Sequence, residues 1–104
     1  MPKRRRQTGM SVKSARILEQ WGVEEALAGG ANVVAVGPVY RLRDGARARL
    51  AFTREQEHGL CVGYAVEQER SWAMAESDPY SARSLGYYQR RLKRVGTYDP
   101  TGGQ

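Results

Sequence analysis

Apolar positions in this chain run first at helical spacing, then at strand spacing, then at helical spacing again. Ala15, Leu18 and Trp21 recur every third residue with Ile17 beside them. That spacing predicts a helix that starts at Ser11 and is stopped by Gly22. Ser11 or Ser14 is available as its N-cap. Val23 to Ala28 predicts a second helical turn, with Glu24 and Glu25 at the positive end of its dipole and Gly29-Gly30 closing it. One helix bent at Gly22 and two short helices both fit.

From Asn32 to Leu42 the pattern becomes extended, through Val33, Val34, Val36, Val39 and Tyr40. Gly37-Pro38 interrupts it and predicts a bulge or an edge position. Asp44-Gly45 signals a hairpin. A two-residue loop would put Leu42 and Arg47 on one face and spoil both faces. A three-residue loop, Arg43-Asp44-Gly45 with Gly45 left-handed, instead pairs Leu42 with Ala46 and Arg41 with Arg47. One face then holds Tyr40, Leu42, Ala46, Ala48, Leu50 and Phe52, and the other Val39, Arg41, Arg47 and Arg49. After the polar turn Arg54 to Gly59, Leu60, Val62, Tyr64 and Val66 alternate with Cys61, Gly63 and Ala65. This predicts a third strand with a bulky face and a small face, the small one suited to lie close under a helix.

Glu67 to Glu76 has helix-forming composition, with Trp72 and Met74 as its large apolar residues. Ser77-Asp78-Pro79 is a strong boundary, with Asp78 able to cap and Pro79 suited to a first helical position. Leu85, Tyr88, Leu92 and Val95 follow at spacings of three, four and three, which predicts a helix over Pro79–Val95 ended by Gly96. The expected architecture is α+β: a small antiparallel sheet, hairpin plus third strand, packed against an N-terminal helix and a long C-terminal helix. Residues 1–10 are expected as a basic flexible arm, 11–96 as a single domain and 97–104 as a flexible tail. Trp21 and Trp72 are expected as core anchors.

Charge changes the picture. The 104 residues carry a formal net charge of +6, and it is unevenly placed. Residues 1–20 hold six cations against Glu19, and residues 81–104 hold five against Asp99. The centre, 21–80, holds six arginines against nine carboxylates. Basic ends on an acidic centre predict a small domain that offers cations to a polyanion: nucleic acid, an anionic membrane surface or an acidic protein face, of which nucleic acid and the acidic protein face are the expected partners. Arginine heavily outnumbers lysine, whose three positions are Lys3, Lys13 and Lys93. A guanidinium binds phosphate as a bidentate fork, although a GC-rich genome would produce the same bias. The longest uncharged run, Ala26 to Tyr40, is broken by glycines and Pro38. No membrane partner is therefore expected. Cys61 is the single cysteine, which fits a reducing compartment. The expected location is cytoplasmic, or virion for a chain of phage origin.

Three groups of cations are candidate contacts. The first is Lys3, Arg4, Arg5 and Arg6 on the arm. The second is the outer surface of the C-terminal helix: Arg83, Tyr87, Arg90, Arg91, Lys93 and Arg94, with Tyr80 or Tyr87 able to stack. Cations in the last turns of a helix also suit its dipole without any ligand. The third is the hairpin patch Arg41, Arg47 and Arg49, which can enter a groove or guard a strand edge. Catalytic candidates are sparse. His58, the lone histidine, sits in a polar turn, and Cys61 reads as a small buried residue. Glu67, Glu69, Glu76 and Asp78 do not share one helix face. No catalytic residue, metal site or cofactor is expected.

The expectation is a non-enzymatic basic accessory protein that binds nucleic acid through backbone phosphates. The alternative is a structural subunit of a homo-oligomeric assembly, whose basic ends grip acidic surfaces such as Glu55, Glu57, Glu67 and Glu69 of a neighbour. An adaptor for an acidic protein is a third option. The order helix, hairpin, strand, helix is similar to that of small phage connector and tail-completion proteins, and of many small DNA-binding folds. That similarity is one of element order alone.

Overall fold

The computed structural model describes residues 12–102. The arm with Lys3, Arg4, Arg5 and Arg6 and the cap candidate Ser11 lie outside the described residues, as do the side chains of Ser14, Ala15 and Ile17. Helix α1 spans Val12–Trp21 and α2 Val23–Ala28. Gly22 separates them in the left-handed conformation, so the two pieces are distinct helices. Strands β1 (Val34–Leu42), β2 (Arg47–Glu55), β3 (Gly59–Gln68) and β4 (Ser71–Pro79) follow as a meander. Helix α3 (Ala82–Val95) then leads into the short strand β5 (Gly96–Tyr98) and a single 3-10 turn, Pro100–Gly102.

The five strands form one antiparallel sheet in the order β4-β3-β2-β1-β5. The α+β class stands, but the three-stranded sheet between an N-terminal and a long C-terminal helix is overturned. The molecule is mostly sheet with short helices, and α3, at 14 residues, is the longest described helix. Two segments account for the difference. Glu67–Glu76, helical by composition, supplies the end of β3 and most of β4. The residues after Val95, expected as terminator and loose tail, supply β5 on the far edge of the sheet, pairing Leu42 with Gly96 and Tyr40 with Tyr98. Local propensity loses in β4 because β3 offers a full ladder of partners, from Gln68↔Ser71 to Cys61↔Pro79.

The hairpin register is the one that separates apolar from basic. Tyr40 pairs with Ala48 and Arg41 with Arg47. Leu42 and Ala46 close the loop by an N–H···O bond of 2.8 Å. Gly45 has φ +90°, a conformation that costs glycine nothing and a side chain a great deal. The register also shifts between Val36 and Tyr40, placing the bulge at Gly37-Pro38.

All helices lie on one face of the sheet. Phe52, Val62, Leu50 and Ala48 from the sheet meet Leu18, Val23, Leu85, Tyr88 and Leu92 from the helices in one buried cluster. Phe52 sits at its centre, with the Trp21 and Tyr80 rings at centroid distances of 6.5 and 6.0 Å. Each such fully buried side chain contributes roughly 1.5–3 kcal/mol. The bulky face of β3 is therefore the one under the helices. Its small face, expected there, points the other way. The reason lies at Gly63: an added Cβ would lie 1.7 Å from the Glu76 carbonyl oxygen. A bulge at Ala75, between Tyr64↔Glu76 and Ala65↔Met74, curls β4 over that spot.

Helix α3 begins at Ala82 rather than at Pro79. Ser81 is its N-cap, in a reciprocal arrangement with Ser84: the Ser84 N–H donates to Ser81 Oγ at 3.0 Å and the Ser81 N–H to Ser84 Oγ at 2.9 Å. Asp78, expected as the cap, is instead a β4 residue whose carboxylate accepts from the Tyr88 hydroxyl at 2.5 Å. Burial, and then this bond, raise the Tyr88 hydroxyl far above its ordinary pKa.

Candidate nucleic-acid interface

The buried stripe of α3 fixes where its cations go. Leu85, Tyr88 and Leu92 face the sheet. At 100° per residue, Arg83, Tyr87, Arg90 and Arg94 then fall on one outward line about 16 Å long, with Lys93 and Arg91 flanking it. Arg83, Arg90, Lys93 and Arg94 are exposed. None of them is in an ion pair among the described residues. Arg90 lies back along the helix, its Nη1 3.0 Å from where a Cβ on Gly86 would stand. Tyr87 is 42 % exposed, and its ring meets that of Tyr88 edge-on at 4.9 Å. It presents an aromatic surface among the four cations.

Arg91 behaves differently from its neighbours. It donates to Glu76 Oε1 at 2.6 Å and to the Tyr87 hydroxyl at 3.3 Å, and it lies 5.8 Å from the Tyr64 ring centroid. The bond to Glu76 raises its pKa further. It ties α3 to β4 and orients Tyr87.

The hairpin patch does not offer free charge. Arg41, Arg47 and Arg49 share the sheet face opposite the helices, and each is engaged. Arg41 reaches Asp99 Oδ2 at 3.1 Å and the Gly45 carbonyl at 3.1 Å. Arg47 donates to Glu67 at 2.7 Å, and its buried Nε lies 3.6 Å from Asp99 with no hydrogen-bond acceptor. Arg49 grips the Gly37 carbonyl through Nε and Nη2, at 3.1 and 2.6 Å. The β1 bulge takes that carbonyl out of the ladder, and Arg49 satisfies it. Its guanidinium also lies 5.3 Å from the Trp72 ring centroid. Burial, then Arg47, lowers its pKa. Trp72 thus covers the second face of the sheet rather than anchoring the helix-side core. Tyr80 belongs to that core, packed on Phe52.

Asp99 is the counter-ion of this patch and is 8 % exposed. Its Oδ1 accepts from the Thr101 hydroxyl at 2.6 Å and the Thr101 N–H at 3.1 Å. These bonds, together with Arg41, hold its carboxyl below the ordinary range. A depressed carboxylate stabilises the fold above its unfolded pKa of about 4, and that contribution is lost as pH falls through the folded value. The Tm advantage of the wild type over Asp99→Asn therefore shrinks as pH is lowered from about 5 to 2. A pH series of thermal melts with a constant difference would contradict this assignment.

Other reactive groups are dispersed. His58 is exposed in the β2–β3 turn. Cys61 is 1 % exposed on the small face of β3. Burial, and then Glu55, push its thiol up, away from the nucleophilic thiolate. Glu67, Glu76 and Asp78 each hold a different partner, and Glu69 sits in the β3–β4 turn with φ +48°. Among the described residues no three His, Cys, Asp or Glu side chains gather to hold a metal. No described helix is long and apolar enough to cross a membrane.

Three residues outside the sequence-derived candidates join the basic surface. Arg43, at the β1–β2 turn, lines the same two grooves as Arg94 and Val95, of about 500 and 600 Å³. Val95 and Tyr98 are 44 % and 56 % exposed. With Tyr87, they are the exposed large apolar side chains among the described residues. All three flank the α3 cations. Tyr98 carries no signal in the sequence, because a three-residue strand is too short for alternation to show.

No protein family, curated protein or solved structure matches this chain.

Proposed function

We propose that this protein is a non-enzymatic accessory protein that binds nucleic acid through its phosphate backbone, with the outward line of α3 as the contact surface. One contrast carries the reading. The hairpin cations and Arg91 are held by the protein's own carboxylates, carbonyls and rings, whereas Arg83, Arg90, Lys93, Arg94 and Arg43 have no ion-pair partner among the described residues. A soluble fold that neutralises some of its cations and leaves one aligned set bare with an aromatic is arranged for an external anion. Spacing supports it, since residues three, four and seven apart on this line stand roughly 5–10 Å from one another, the scale of successive phosphates. Five such contacts on duplex DNA give a log-log salt slope of about −4.5. A titration across salt in which no complex forms even at low ionic strength would refute the proposal.

A second reading rests on a different observation. The strand directions put Arg43, Arg70 and the end of α3 at one end of the sheet, where Asp44, Glu67 and Glu69 only partly offset them, and Glu55 and Glu57, beside Arg54, at the other, so Glu67 and Glu69 do not share the acidic surface of Glu55 and Glu57. Opposite charge at opposite ends suits head-to-tail contact between copies, as in a homo-oligomeric structural assembly. Size-exclusion chromatography with light scattering separates the two. A monomer that binds nucleic acid supports the first reading, and a salt-sensitive oligomer that does not supports the second.

A further inference from the structure

Beside the end of α3, strand β5 and the end of its neighbour β1, with Arg43 of the β1–β2 turn, line a groove of about 500 Å³. Leu42, Val95 and Gly96 give it an apolar lining, and Arg43 and Arg94 stand at its margins. Tyr98 projects from the edge strand of the sheet and is 56 % exposed. Its ring is not loose: it meets Tyr40 edge-on at 6.3 Å and 67°, and Tyr40 itself is buried. Asp99, the acid of this groove, has its carboxylate taken up by Arg41 and Thr101. The groove is therefore electropositive and carries a fixed aromatic surface open to solvent. A second groove, of about 600 Å³, continues past Arg94 toward Tyr64 and Arg91.

We infer that the groove beside β5 receives an unpaired base of a single-stranded nucleic acid, stacked on Tyr98, while Arg43 and Arg94 hold the flanking phosphates. The inference rests on the phosphate-binding reading and narrows it to single strands. A duplex presents phosphates to α3 equally well, but its bases are stacked on one another and cannot reach the Tyr98 ring. A single strand satisfies both halves of the surface, the cations and the ring.

The test is fluorescence anisotropy of the full chain with a labelled thymidine oligonucleotide and with the adenine–thymine duplex of the same length, at low ionic strength. The single strand binds more tightly than the duplex. Tyr98→Ala and Tyr98→Leu weaken single-strand binding about tenfold and leave duplex binding within about twofold, whereas Tyr98→Phe keeps both. Thermal melts show the variants folded, as expected for an exposed edge residue. Wild type that binds both probes equally, with Tyr98→Ala unchanged, overturns this inference and leaves phosphate binding standing. Wild type that binds neither probe removes both.

Discussion

Replacing Arg83, Arg90 and Arg94 together by alanine lowers affinity for nucleic acid about a thousandfold at about 0.05 M salt and leaves the fold intact. Each phosphate contact releases roughly 0.9 of a counterion on duplex DNA, which at this salt is worth about a factor of ten. Three of the five proposed contacts disappear in this variant. The salt slope accordingly falls from about −4.5 to about −1.8. None of the three guanidiniums is in an ion pair among the described residues. The buried stripe Leu85, Tyr88 and Leu92 is untouched, and alanine is the best helix former. Thermal stability is therefore unchanged within a few degrees. The matched control is Arg41→Ala, Arg47→Ala and Arg49→Ala together, which removes three cations that the protein itself engages. The control has the smaller effect on binding and the larger effect on Tm. Parallel binding titrations and melts of the two variants check this, and equal loss of affinity in both would show that only net charge matters.

Gly63→Ala produces the largest loss of stability from the smallest change. The added methyl would sit 1.7 Å from the Glu76 carbonyl oxygen and 2.7 Å from the Ser77 Cα. Both obstacles are backbone, so no rotamer change relieves the clash. Strand β4 must move outward by more than an ångström or leave β3 locally. That move loosens the Glu76–Arg91 and Asp78–Tyr88 contacts that tie β4 to α3. The cost is about 3 kcal/mol or more, against a total of roughly 5–10 for a domain of this size. The corresponding fall in Tm is on the order of 12–20 °C. Hydrogen exchange locates it, with β4 amides losing protection before those of β1 and β2. A variant that melts like the wild type would mean that β4 does not close over Gly63.

How much was legible in the sequence follows from where the physics is local. The hairpin register was readable because only one loop length sorts Tyr40, Leu42 and Leu50 from Arg41, Arg47 and Arg49, and the structure has that register. The sheet-facing stripe of α3 was readable for Leu85, Tyr88 and Leu92, but Val95, read as its fourth member, is 44 % exposed because the last turn runs past the end of the buried cluster. Strand β4 was not readable. Its identity comes from the free ladder of β3 and from a bulge that restores parity at Ala75, neither of which shows in the composition of Ser71–Pro79. The end of the chain was hidden too, since Thr97 and Tyr98 become a strand only because β1 has an open edge beside them. The candidate cations were readable as residues but not as free or engaged charges. Glu76, Glu67 and Asp99 choose among the arginines at separations of 15, 20 and 58 residues, and such pairings need the fold. Pattern reading therefore located the α3 surface, and tertiary pairing selected which of its members remain available.

On the proposed reading the bare line Arg83, Arg90, Lys93 and Arg94, with Arg43 beside it, meets phosphate directly. The decisive measurement is the salt dependence of nucleic-acid binding, taken side by side for the wild type and the triple alanine variant. On duplex DNA the expected wild-type slope is about −4.5 and falls to about −1.8 in the variant, and on a single strand, at about 0.7 per contact, the expected slopes are about −3.5 and −1.4. An absence of any complex at low ionic strength, or a slope that is the same for both proteins, would contradict that reading.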